Sequence, residues 1–196
     1  MMATVTTQPR RRDERFIEAL VELYEQEDRA AFAALRRGLG KPLGEAMEMY
    51  PYVAPFTQGL TRKQEDAYYL IAALFGLYPS ESWTSSEGRL RTNLGASLRW
   101  FATDSRGESI ERRFVALLNA HTDDLSEHLR QTISLLKSQN IPVDWRQLLR
   151  DVINWDYEDR FVQRNWSKAF WGTGVQESTN DPIITTEAST TTEDQN

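Results

Sequence analysis

"SIERRFVALLNAHTDDLSEHLRQTISLLKS" (residues 109–138) is written in the period of an α-helix twice over. Ile110, Phe114, Leu117 and Leu118 fall on one helical face, and after a polar break at "HTDD" the pattern resumes with Leu125, Leu129, Ile133 and Leu136. The stretch predicts helices over 108–120 and 123–138, with Thr122 as N-cap of the second and Asp123 and Asp124 complementing its first turn.

The same period extends outward in both directions. Upstream, Leu90, Leu94, Leu98 and Phe101 predict a helix over 90–104. Downstream, Asp144 followed by Gln147 opens a helix over 145–154 that buries Trp145, Leu148, Leu149, Val152 and Ile153, and another follows over 157–171. In the N-terminal half, Phe16, Leu20, Leu23 and Glu27 form a stripe that ends in charge, and "DRAAFAALRRGLG" (28–40) is a short helix halted by Gly38 and Gly40. Residues 41–60, broken by three prolines, read as a loop with one helical turn. Thr61 and Gln64 are spaced as a capping box at the start of a core helix over 62–78, which Pro79 ends.

No segment alternates in the manner of a strand, so the expected class is all-α, two small helical bundles packed together with no significant sheet. The loop-like "PSESWTSSEG" (79–88) divides them into 13–80 and 89–172. A flexible basic segment, 1–12, precedes them. The tail, 173–196, holds five acids and no Lys or Arg, and its Thr/Ser-rich, apolar-poor composition predicts disorder. Removing it leaves 24 acids against 23 bases, so the net charge of −6 belongs to the tail as much as to the body. A local basic face is compatible with that balance. The chain has no Cys, which excludes disulfides and thiolate chemistry and suits a reducing, cytoplasmic setting. No apolar run approaches the ~20 residues of a membrane span.

Helical geometry converts spacing into direction, at about 100° per residue. Arg112 then points away from the core of its helix and Arg113 lies on the flank. Arg130, Ser134 and Lys137 share an outer row, and Arg99 faces outward from 90–104. Arg160, Arg164 and Lys168 recur every fourth residue opposite Val162, Trp166, Ala169 and Phe170, as a basic ridge, and Arg36 and Arg37 close the second helix. Each pair alone is also what a solvated face or a helix C-terminus would carry. Trp100, off its apolar stripe, is a candidate interface residue.

Enzymatic signatures are absent from the pattern: no phosphate-cradling glycine loop, no GxSxG and no H-E-x-x-H. His121 and His128 with Asp123 or Asp124 match no familiar metal-ligand spacing, and a helix-boundary role fits them better. The chemistry expected is binding or assembly, without cofactor or metal.

Taken in order, "DRAAFAALRRGLG" (28–40), "AYYLIAALFGLYP" (67–79), "RTNLGASLRW" (91–100), the opening stretch, "IPVDWRQLLRDVINWD" (141–156) and "DRFVQRNWSKAFWG" (159–172) resemble the CasB family, the small subunit of the type I-E CRISPR Cascade complex. The resemblance spans about residues 13–172. It implies a non-catalytic, all-α protein, present in two copies beside the backbone and large subunits of a crRNA-guided complex. Such a protein would hold the displaced, non-target single strand of an R-loop in antiviral defence; the other reading is a purely structural assembly subunit without DNA contact. On the family's pattern, Arg36, Arg37, Arg112, Arg113, Arg130 and Arg160 occupy basic positions. Arg99, Lys137, Arg164 and Lys168 join them from helix geometry alone. No membrane association is implied.

Overall fold

The computed structural model describes residues 11–41, 45–80, 92–102 and 107–172. The tail at 173–196, most of the segment 1–12, and the break at 79–88 beyond Ser80 (Trp83 included) lie outside them. Among the described residues there are nine α-helices and no strand: α1 Arg12–Glu25, α2 Arg29–Arg36, α3 Tyr50–Val53, α4 Arg62–Leu77, α5 Leu94–Ala102, α6 Gly107–Leu118, α7 Thr122–Ser138, α8 Trp145–Ile153 and α9 Phe161–Trp171. The all-α expectation holds. None of these helices is long and apolar enough to cross a membrane.

Several boundaries differ from the sequence pattern for local reasons. The α2 helix stops at Arg36, where Arg37 and Gly38 turn their N–H groups back to Ala34 and Leu35 in tighter i→i+3 bonds. Gly38 leaves room there for the Met49 side chain, whose sulfur would have to shift to admit a Cβ. The stretch 41–60 holds more helix than one turn, because α3 is flanked by 3₁₀ turns at Met47–Met49 and Ala54–Phe56. The prolines within α3 and the second of these turns, read as breakers, sit at the first positions of those short helices, where no N–H is needed. Glu27 lies beyond α1 in the left-handed region, φ +52°. The α5 helix begins at Leu94, with Asn93 Oδ1 accepting from the Ala96 N–H at 3.1 Å.

Two caps form as the spacing predicts. Thr61 and Gln64 make a reciprocal capping box on α4, and Asp144 accepts from the Gln147 N–H at 2.9 Å. The cap of α7 is a correction. His121, not Thr122, is the N-cap, its ring accepting from the Asp123 N–H at 3.4 Å, while the Thr122 hydroxyl donates to Asp156.

The helix α4 is the centre of the molecule, with Ile71, Ala72, Leu74 and Phe75 wholly buried. On one side it packs on α2; on the other it meets α7 and α8, so the two helical groups share one core. Phe75 of the first group sets its ring against Trp145 of the second, centroids 5.4 Å apart. The Trp145 indole donates to Ser80 at 3.0 Å. In the second group α5 lies so close to α9 that a Cβ on Gly95 would strike the Trp166 carbonyl. Trp155 and Trp166 pack at 5.1 Å, and Phe114 stacks on Phe170 at 4.4 Å.

Two polar features sit inside this seam. Arg150 of α8 reaches Asp13 of α1 at 2.5 Å, and Arg146 reaches Glu14 at 3.3 Å. Asp151, buried, accepts from the Trp166 indole at 2.6 Å and from the Gln147 amide at 2.9 Å. Burial pushes its carboxyl up to about 6, against the opposing pull of those two donors.

Candidate nucleic-acid interface

The ten cations expected from the sequence divide between two regions. Arg36 and Arg37 end α2, where the Leu35–Arg36 backbone lies against Gly76 of α4. Lys137 donates its Nζ to the carbonyl of Leu77, one residue further along α4, at 2.8 Å. The chain therefore brings Arg36 and Lys137, about a hundred residues apart, to the same end of α4, with Arg130 two turns back along α7. Arg37 is paired with Glu48 at 2.8 Å. Arg130 is gripped through two bonds by Glu127, at 2.7 and 2.9 Å, which hold the Glu127 carboxyl down to about 2.

The second region is built on α5, α6 and α9. Arg112 and Arg113 are both exposed on α6, and Arg113 lines the clefts toward α7 beside Leu135. Arg164 is paired with Asp159 at 3.0 Å, and Lys168 is exposed one turn later. Two expectations are corrected here. Arg99 does not face outward: it is half-buried and donates to the Gly172 carbonyl, tying α5 to the end of α9. Arg160 does not begin a continuous ridge, because α9 starts at Phe161, after a turn in which Arg160 takes φ +51° and its guanidinium donates to the Leu118 carbonyl at 2.5 Å. Arg164 and Lys168 retain the four-residue spacing, opposite the buried Val162, Trp166 and Phe170.

Among the described residues, Arg36, Arg112, Arg113 and Lys168 are thus the predicted cations that no carboxylate neutralises and no carbonyl holds. Those in ion pairs at Arg37, Arg130 and Arg164 are exposed and exchangeable, since solvent screening leaves such surface pairs little net strength. Near Arg112, the Trp171 indole donates to Glu111 at 3.2 Å, so Glu111 is occupied by α9 rather than by the twin arginines. Trp100 is 63 % exposed, as its place off the apolar stripe implies.

The histidines stand apart from one another. His121 caps α7, and His128 lines a small cavity of about 90 Å³ with Arg113 and Gln131. No three His, Cys, Asp or Glu side chains gather among the described residues as a metal cage.

Sequence reading passed over a third basic group. Between the two helical groups lies an open groove of about 650 Å³, walled by Gly38, Lys41, Ala46 and Met49 and by the first turns of α7, with α4 as its floor. Lys41, Arg62 and Lys63 line it, over an apolar bed that includes Met49, Tyr69 and Leu70. Arg62 and Lys63 had a signal in the sequence, since they follow the Thr61 cap directly, but they open a helix whose apolar run marks it as core.

Comparison with known proteins agrees with this architecture. The model of the family described as CRISPR-associated protein Cse2 matches residues 31–171. A CRISPR-associated protein Cse2 from Thermus thermophilus is 35 % identical over 167 residues, covering 84 % of this chain and 92 % of its own. Among solved structures, a CRISPR-associated protein of the Cse2 family, also from Thermus thermophilus, superposes with a TM-score of 0.70 at 33 % identity, over 82 % of this chain and 98 % of its own. A chain of a CRISPR RNA-guided surveillance complex superposes with a TM-score of 0.67 at 29 % identity, over 81 % of this chain and 91 % of that one.

Proposed function

The chain belongs to the CRISPR-associated Cse2 family, and from that premise we propose that it is the non-catalytic small subunit of a crRNA-guided Cascade complex. In that role it stabilises the R-loop by holding the displaced non-target strand and bridges the backbone and large subunits, beside a second copy of itself. The observation that carries the DNA contact is the set of exposed cations without a carboxylate partner among the described residues, Arg36, Arg112, Arg113 and Lys168, borne on helices whose other faces are locked in the core. A displaced strand varies in sequence, so point charges on a rigid support suit it better than base-reading side chains.

A second reading, assembly without DNA contact, is favoured by Arg99, Lys137 and Arg160, whose charges are spent on carbonyls of the protein itself. Crosslinking the displaced strand within the assembled complex separates the two. Labelling of α6 and α9 supports strand holding; labelling of the other subunits alone supports assembly. For the purified chain, four phosphate contacts give a slope of log K against log salt near −3, from about −0.7 each.

A further inference from the structure

The start of α1, "RRDER" (11–15), sets three arginines beside two acids, and the fold takes the acids away from them. Asp13 accepts from Arg150 of α8 at 2.5 Å. Glu14 accepts from Arg146 at 3.3 Å and from the Arg11 backbone N–H at 3.2 Å. Asp144, the remaining acid at that end of α8, accepts from the Gln147 N–H of its own helix, and α4 turns the neutral Tyr68 ring toward Phe16 of α1. Donors exceed acceptors in this seam, where the buried Arg146 Nε has no partner. Arg11, Arg12 and Arg15 are left exposed, and no carboxylate or carbonyl among the described residues holds their guanidinium groups. They lie within about 100° of arc, on the side away from the buried Phe16, Ile17 and Leu20. Glu18, the next acid along the helix, is itself engaged.

These charges run against their helix. A macrodipole favours anions at the N-terminus and cations at the C-terminus. Yet α1 carries its exposed arginines at the positive end and the exposed Glu22 and Glu25 at the negative one. Solvation alone does not call for that order, which opposes helix stability; an anion brought to the arginines offsets it. The only large apolar side chain that α1 exposes among the described residues is Tyr24, at its far end. The first turns therefore offer charge without the apolar anchor on which a protein interface depends. A phosphate backbone needs no anchor, because counterion release drives its binding.

We propose that Arg11, Arg12 and Arg15 form a second phosphate-binding surface, taking the backbone of a single strand. The inference rests on the strand-holding reading and extends it to a place apart: α1 packs on α8, whereas α6 packs on α5 and α7.

The test measures binding of a long oligothymidylate to the purified full-length protein across a salt series. With both surfaces on one strand the wild-type slope approaches about −5, from seven phosphates. Changing Arg11→Gln, Arg12→Gln and Arg15→Gln together should reduce its magnitude by about 2, the share of three phosphates. The same variant should melt no lower than wild type, since it removes cations from a helix N-terminus. Lysine at all three positions should keep the wild-type slope; a lysine variant that loses it shows that charge is not what holds the strand, and overturns the proposal. An unchanged slope in the glutamine variant, with a reduced one in Arg112→Ala with Arg113→Ala, overturns the α1 surface and leaves α6 standing. Failure of the wild-type chain to bind overturns the strand-holding reading, and α1 with it. Should the glutamine variant bind strands as wild type does yet fall out of the assembled complex, the arginines meet an acidic protein surface and the proposal is wrong.

Discussion

Helices α6 and α8 each carry two arginines, and the two pairs have opposite fates. Arg112 and Arg113 on α6 stand in solvent with no carboxylate partner among the described residues. Arg146 and Arg150 on α8, one turn apart, are pressed against Asp13 and Glu14 of α1, where all four side chains retain no more than about a quarter of their exposure. Helical period fixes the direction in which a side chain leaves its own axis, but the neighbour waiting there decides what the charge does. On α8 that neighbour comes from the other end of the chain, and the arginines join the two helical groups. On α6 the outward direction leads to solvent.

The comparison breaks most readily at Arg150. Arg150→Ala leaves Asp13 without its 2.5 Å partner in a half-buried setting. Truncating one member of such a pair costs about 3 kcal/mol, read as a lower urea midpoint at unchanged slope. A loss no larger than that of Arg112→Ala would erase the distinction between the helices. Removing Asp13 as well, by Asp13→Ala, sharpens it: the double variant should recover part of the loss if the pair acts as a unit.

Asp151, also on α8, gives the next largest effect. Its carboxyl rises from an ordinary 3.8 to about 6 in the folded chain, so the fold favours the protonated form. The stabilisation is complete below about pH 4 and is lost as pH rises through about 6, an amount on the order of 2–3 kcal/mol. Asp151→Asn removes the titration while retaining an acceptor for the Trp166 indole, and the pH dependence of the urea midpoint should flatten across that window. An unchanged profile would place the titration elsewhere.

Much of this architecture is legible in the residue pattern alone. The stripes of α1, α4, α6, α7 and α8, and the caps at Thr61 and Asp144, are local patterns and need only the 3.6-residue period and hydrogen-bond arithmetic. What escapes the pattern is whatever depends on a neighbour. His121 displaces Thr122 as a cap because the Thr122 hydroxyl finds Asp156 across the chain. Arg160 leaves its ridge because the left-handed turn before α9 carries it to Leu118. Among the expected site residues, helical spacing assigns Arg112 and Arg113 directions that the fold retains, whereas Arg99 and Lys137 have carbonyl partners that no periodicity could reveal. The groove cations Lys41, Arg62 and Lys63 stay hidden because the groove exists only once α7 packs beside α4.

Smallest in stability, and most telling for function, is the change at the twin arginines. Arg112→Ala with Arg113→Ala removes two exposed side chains from the solvent face of α6, whose buried stripe of Ile110, Phe114 and Leu117 is untouched. Ala is the better helix former, so the stability should stay within about 0.5 kcal/mol of wild type. Single-strand binding, by contrast, should weaken and lose about 1.4 from its salt slope if each arginine neutralises one phosphate. A structural arginine would show the reverse signature, falling stability at constant slope, which is the behaviour expected at Arg150. Measured side by side, the two helices therefore decide between strand holding and mere assembly through the ratio of these effects, and equal ratios at both would end the case for α6 as a DNA contact.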